Sequence, residues 1–142
     1  MRPVLVDSNV LLDVLTDDPV WEEWSSSQLN QFVESRSLVI NPVIYAEVSV
    51  RFDSLEELEE RLPAPVFKRE SLPWEAAFLA GRSFLRYRRR GGLRRAPLPD
   101  FYIGAHAAIR GYELLTRDAA RYRTYFPTVE IIAPEPGPAD SS

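Results

Sequence analysis

Five short, largely apolar runs, at residues 3–6, 37–40, 66–68, 113–116 and 129–132, recur along this chain with helix-length segments between them. Runs of this kind suit strands buried on both faces. Strands that alternate with helices predict a parallel sheet covered on either side. The expected fold is therefore α/β: a three-layer α/β/α sandwich around a five-stranded parallel sheet. Such sheets bind ligands outside the carboxyl ends of their strands. Asp7 and Asp118 follow the first and fourth runs directly, so both are expected at that edge.

The helices announce themselves by their ends. Asp7-Ser8-Asn9 opens the first, with Val10, Leu11, Val14 and Leu15 on one face. Residues 19–34 read as the second, with Trp21, Trp24, Leu29, Phe32 and Val33 as apolar points. Asn41-Pro42 supplies a cap and a first-turn proline for a helix over 42–52. Ser54 and Glu57 form a capping box. A long helix runs from Pro73 to residue 90 and stops at Gly91-Gly92. Asp100 opens one that Gly111 ends, and Asp118 opens a last one through Phe126. A length of 142 residues suits one domain, expected over residues 1–133, with a disordered Pro-rich tail at 134–142.

Composition narrows the chemistry. With no cysteine, disulfides, thiolate metal sites and cysteine nucleophiles are excluded. No run approaches transmembrane or signal-peptide length, so no membrane partner and a cytoplasmic location are expected. The net charge of −4 argues weakly against nucleic acid, but its distribution is uneven. Residues 86–95 hold six arginines and no acid, and the remainder of the chain carries 11 basic against 21 acidic residues. A basic segment on an acidic body is a candidate phosphate contact, through Arg88, Arg89, Arg90, Arg94 and Arg95. The plainer alternative is that cations favour the end of a helix dipole.

Asp7, Asp100 and Asp118 each stand at a helix start, where an aspartate can be a cap and nothing more. Glu47 lies within its helix among Val43, Ile44 and Val48. It is either an exposed partner of Arg51 or an inward-facing carboxylate, which costs several kcal/mol unless its charge is compensated. Gly104 and Ala107, close to the Asp100 direction on its helix, either leave room beside that carboxylate or serve close packing. Four carboxylates without thiolates form an all-oxygen set suited to Mg2+ or Mn2+, ions that activate water for phosphodiester hydrolysis.

The segments Val4-Leu-Val-Asp7-Ser-Asn-Val-Leu-Leu-Asp13, Asn41-Pro-Val-Ile-Tyr-Ala-Glu47-Val, Leu98-Pro-Asp100-Phe-Tyr-Ile-Gly-Ala-His106-Ala and Leu114-Leu-Thr-Arg-Asp118 resemble, in order and spacing, the motifs of the PIN-domain family. The likeness is strongest to the VapC-type toxins of bacterial toxin–antitoxin pairs. That resemblance implies a Mg2+- or Mn2+-dependent endoribonuclease, a homodimer, and an antitoxin that blocks the site. It places Asp7, Glu47, Asp100 and Asp118 on the family's four acidic positions, as catalytic and metal-holding residues. Ser8, Asn9 and Thr116 fall on supporting polar positions.

Other residues carry plainer expectations. His106, the only histidine, is six positions beyond Asp100 and is expected to be structural; Asp13 is expected to be solvated or paired. Trp21, Trp24 and the aromatics of residues 73–90 exceed what a sheet cover needs and suggest a dimer contact. A receiver domain or haloacid-dehalogenase-type phosphatase would also place an aspartate after a strand. The phosphatase wants a second aspartate where this chain has Asn9, and Lys68 is the only lysine for either. The remaining alternative is a non-catalytic PIN-like adaptor for RNA or protein, which would be expected to lose one or more of the acids.

Overall fold

A computed structural model of the chain describes residues 1–95 and 97–135. Five parallel strands, β1 (Val4–Val6), β2 (Leu38–Ile40), β3 (Phe67–Arg69), β4 (Glu113–Leu115) and β5 (Ile131–Ile132), form one sheet in the order β3-β2-β1-β4-β5. All three residues of β1 and all three of β2 are buried. Successive side chains point to opposite faces, so both faces of the sheet centre are covered. The core runs through Leu5, Val39, Ile44, Val48, Ile103 and Leu114, all closed to solvent.

The connecting helices are α1 (Ser8–Leu15), α2 (Glu22–Phe32), α3 (Pro42–Ser49), α4 (Leu55–Arg61), α5 (Trp74–Arg89), α6 (Pro99–Arg110) and α7 (Ala120–Tyr125). The α/β architecture expected from the sequence is therefore the one found. Among the described residues no helix is long and apolar enough to cross a membrane. The expected tail at 134–142 lies mostly outside the described residues, and Pro134 and Glu135 carry no regular structure.

Several boundaries shift for identifiable reasons. The second helix begins at Glu22 because Asp18 Oδ1 accepts the N–H groups of Val20 and Trp21, each at 2.9 Å, and holds residues 18–21 in a turn. Asp100 does not open its helix. Pro99 takes the first position, Leu98 is the cap, and Asp100 sits in the first turn, where a negative charge meets the positive end of the dipole. Asp118 does not begin α7 either. Thr116 Oγ1 accepts the Asp118 N–H at 3.1 Å, and that turn delays the helix to Ala120.

Chain order turns at β1. The chain passes from β1 outward to β2 and β3, then crosses to β4 and β5 on the other side. Adjacent connections thus leave β1 and β4 in opposite directions, which opens a crevice at their carboxyl ends. Asp7 stands at the lip of that crevice, its N–H donating to Leu115 O at 2.9 Å as a last rung of the β1–β4 ladder.

Candidate functional site

Asp7 is buried and heavily bonded. Its Oδ1 accepts the Ser8 N–H at 2.7 Å, the expected cap of α1. Its Oδ2 accepts hydroxyl donors that a cap does not need: Thr116 Oγ1 at 2.9 Å and Tyr122 OH at 2.8 Å. Despite these donors, burial pushes the Asp7 carboxyl up from 3.8 to about 6, with Asp100 and Glu47 adding repulsion. Asp7 is thus a capping residue and part of an acidic cluster at once.

Glu47 reaches that cluster from α3. It is half-buried and accepts Ser8 Oγ at 2.8 Å, across 39 positions of sequence. The pairing with Arg51 fails because α3 ends at Ser49, before Arg51. Desolvation raises the Glu47 carboxyl, the Ser8 bond opposes that rise, and Asp100 adds to it. Asp100 arrives from the first turn of α6. Burial raises its carboxyl as well, while Arg121 and the Tyr122 hydroxyl draw it down and Asp118 pushes it up. Arg121 Nη1 lies 3.2 Å from Asp100 Oδ2. Asp118 itself is exposed in the turn between β4 and α7. Three acids from β1, α3 and α6 therefore converge closely enough to repel one another, and Asp118 lies within reach of Asp100.

Among the described residues no three acids already stand in a metal-ligating arrangement. The donor set nevertheless fits a hard cation. It is all oxygen, its members are desolvated and mutually repelling, and Arg121 is the one cation paired within it among the described ion pairs.

Polar neighbours hold the acids in place. Asn9 Nδ2 donates to Thr116 Oγ1 at 3.2 Å, and Asn9 Oδ1 accepts the Arg117 N–H at 3.3 Å, tying α1 to the end of β4. Thr116 is closed to solvent and relays to Asp7. Tyr122 is a residue that sequence reasoning missed. Its single hydroxyl lies 2.8 Å from Asp7 Oδ2 and 3.3 Å from Asp100 Oδ1. Burial and the two acids push that hydroxyl well above its ordinary value, so it stays a proton donor. Its spacing of four from Phe126 marks Tyr122 as inward-facing on a short helix, but that spacing does not separate a packed ring from a hydroxyl shared by two aspartates.

Other expectations resolve differently. Gly104 does not leave room beside Asp100: a Cβ there would lie 2.3 Å from the Phe126 ring, so its role is close packing of α6 against the end of α7. Asp13 is buried and paired, accepting Ser25 Oγ at 2.8 Å and Arg117 Nε at 2.8 Å. His106 is buried and bonded to Asn41, away from the acids. Trp24 packs against the core, and Arg117 lies over Trp21, so neither supplies a bare aromatic face.

Arg88, Arg89, Arg90, Arg94 and Arg95 are all exposed. The helix that carries Arg88 and Arg89 meets the Asp100 helix through an aromatic contact. Tyr87 on α5 packs edge-on against Phe101, the neighbour of Asp100, with centroids 5.6 Å apart. Gly91 takes a left-handed φ of 91°, and a Cβ on Gly92 would lie 2.2 Å from the Tyr87 ring. This glycine pair turns the chain back over Tyr87, with the Gly92 N–H donating to Tyr87 O at 3.0 Å. A cleft of about 340 Å3 opens beside Glu47, lined also by Val43, Pro97, Pro99 and Tyr102.

Known proteins agree with this architecture. VapBC2 from Rickettsia felis, solved bound to a DNA fragment from its promoter, shares the fold with a TM-score of 0.70 at 13% identity, over 92% of this chain and 97% of that one. DNA-bound VapBC from Salmonella typhimurium gives 0.67 at 20% identity, over 94% and 98%. FitAcB from Neisseria gonorrhoeae gives 0.67 at 18%, over 91% and 96%. A comparison with curated protein sequences returned no match. The sequence itself matches the PIN domain over residues 4–127, nearly its whole described length, and the chain belongs to the PIN-domain family.

Proposed function

We propose that this chain is a Mg2+- or Mn2+-dependent endoribonuclease, the toxin of a type II toxin–antitoxin pair. The observation that carries the reading is the convergence of Asp7, Glu47 and Asp100 at the β1–β4 crevice, close enough that their mutual repulsion helps to lift a buried aspartate to about 6. A site built only of helix caps has no reason to gather acids from three elements. Asp7 and Asp100 would hold the ion most directly, with Glu47 and Asp118 beside them. A bound divalent ion supplies an activated water and steadies charge on the phosphate.

The chain's own residues do the rest. Thr116 and Tyr122 fix the Asp7 carboxylate, and Ser8 orients Glu47. The exposed arginines of residues 88–95 receive the RNA backbone. One solved structure of similar fold is a toxin–antitoxin complex from Klebsiella pneumoniae, which supports an antitoxin as the partner. A homodimer is supported by α5, where Trp74 is 88% exposed and Phe78 and Leu85 continue the same apolar stripe. Light scattering of the isolated chain at high micromolar concentration should give twice the monomer mass; a monomer there rejects the dimer.

A non-catalytic adaptor remains the second reading, favoured by the absence of a ready three-acid ligating arrangement among the described residues and by the Arg121–Asp100 ion pair. RNA cleavage with Mn2+, Mg2+ or EDTA separates the two. The nuclease reading requires cleavage by the wild type that EDTA stops and that Asp7→Asn and Asp100→Asn abolish. Cleavage that persists in EDTA, or manganese titration without binding, rejects it.

A further inference from the structure

We propose that His106, acting through Asn41, is a positioning residue that sets the Glu47 helix against the Asp100 helix. The inference rests on the nuclease reading of the carboxylate site and adds to it a residue lying outside that site.

His106 is closed to solvent, yet neither ring nitrogen is idle. Nδ1 lies 2.9 Å from Asn41 Nδ2, and Nε2 lies 3.4 Å from Glu70 Oε1. The hydrogen-bond pattern fixes the proton. Asn41 Oδ1 is committed as the cap of α3, accepting the Ile44 N–H at 2.9 Å, so the amide NH2 faces the ring and donates to Nδ1. Nδ1 is therefore the acceptor, and the ring hydrogen sits on Nε2, directed at Glu70. Glu70 is held in turn by Tyr112 OH at 2.6 Å and by its own N–H on Ile40 O at 3.0 Å. The chain Tyr112–Glu70–His106–Asn41 links the start of β4, the end of β3, the second half of α6 and the start of α3.

Its relation to the acids is one of register. His106 on α6 meets Asn41 at the head of α3, and six residues further along α3 Glu47 feels the charge of Asp100, six residues back along α6. The two helices thus run antiparallel, pinned at the 41–106 pair, with the acids about 9 Å along each helix from the pin. A shift or rotation at the pin passes directly to the Glu47–Asp100 separation. An apolar side chain would fill the His106 site without the cost of burying polar groups. What the polar pair supplies is one fixed geometry between the helices.

The test uses His106→Leu, which fills the space without the link, and Asn41→Ser, which keeps a helix cap but is too short to reach the ring. Manganese affinity by titration, cleavage of RNA, and RNA binding in EDTA are measured for each, with circular dichroism as the check on folding. Each variant should bind Mn2+ on the order of tenfold more weakly and cleave more slowly, the lower end of what is lost with partners bonded directly to metal ligands. RNA binding in EDTA should be unchanged. The double variant should be no worse than the poorer single, since both remove one link. A folded single variant with wild-type manganese affinity overturns the proposal, as do additive losses in the double variant, while leaving the nuclease reading intact. A wild type that neither binds manganese nor cleaves RNA rejects the nuclease reading itself, and the positioning role falls with it.

Discussion

The acid cluster and the arginine segment are built in opposite ways. The cluster draws Asp7 from the end of β1, Glu47 from α3 and Asp100 from α6, and closes around them with Ser8, Thr116 and Tyr122. Its members are separated by up to 115 positions of sequence, at the Asp7–Tyr122 bond, and are buried or half-buried. The arginines come from one helix end and the turn after it, all exposed, with Arg88 Nη1 on Arg94 O at 2.7 Å tying the turn to the helix. One region is a tertiary construction in low dielectric, where each member alters the energy of the others. The other is a local array in water, where each charge acts nearly alone. Substitutions should follow that division: large and cooperative in the cluster, small and additive along the segment.

The largest effect is expected from the cluster's most buried acid. Asp7→Asn should abolish metal-stimulated cleavage while leaving the chain folded, because an amide oxygen still caps the Ser8 N–H. It should also stabilise the metal-free protein. The Asp7 carboxyl is 3.8 when unfolded and about 6 when folded, so between those values the folded state holds the extra proton. Stability in EDTA should therefore fall as pH rises from about 4 to about 6. Above that window the wild type carries a deficit of about 3 kcal/mol, since each tenfold rise in proton affinity is worth about 1.4 kcal/mol. Urea unfolding across that range should show a steeper fall in the wild type than in Asp7→Asn, where only the raised Glu47 and Asp100 carboxyls remain to give a slope. A slope that is the same in both would mean that Asp7 is solvated and not the buried acid of the cluster.

Tyr122→Phe tests the cooperativity more gently. The ring stays, and only the hydroxyl between Asp7 and Asp100 is lost. That hydroxyl lowers the Asp7 value, so its removal should move the falling limb of stability to higher pH. A lost hydrogen bond to a charged group should cost about 1.5–3 kcal/mol near neutral pH, where Asp7 is ionised. A variant with both the stability and the pH limb of the wild type would show that the two aspartates are positioned without it.

The same division explains what the sequence could reveal. Strand runs, the Asn41 cap, the capping box at Ser54 and the glycine stops at 91 and 111 are local signals, and all five strands and seven described helices follow them closely. The fold class was legible because an apolar run buried on both faces looks different from one buried on a single face. Boundaries were less so, since side chains such as Asp18 and Thr116 compete with the helix for its first N–H groups. At the site, the family-like motifs singled out the acids. Tyr122, Arg121 and the Asn41–His106–Glu70 chain were not legible, because nothing local distinguishes a tyrosine that packs from one whose hydroxyl meets two aspartates. Gly104 was open to two readings for the same reason, and only the Phe126 ring across the helix interface decides between them.

The smallest expected effect belongs to the arginine segment, and it is the one that tests additivity. Arg88, Arg89, Arg90, Arg94 and Arg95 make no ion pair with a described carboxylate, so their charge is free to meet phosphate. Each phosphate contact on a single strand contributes about 0.7 to the log–log slope of affinity against salt. Replacing them with alanine one after another should flatten that slope in roughly equal steps and weaken all RNA sequences alike. Binding is measured in EDTA so that cleavage does not intervene. The steps should be indifferent to Asp7→Asn, since each of these arginines is exposed and its field is screened by solvent and by salt, with a Debye length of about 8 Å at physiological ionic strength. Helix-dipole stabilisation alone predicts a different pattern: Arg88 and Arg89, in the last turn of α5, would each contribute a few tenths of a kcal/mol to folding, Arg94 and Arg95 nothing, and the salt slope of RNA binding would not move. A slope that survives all five replacements would return the segment to that role and place the phosphate contacts on other cationic residues of the chain.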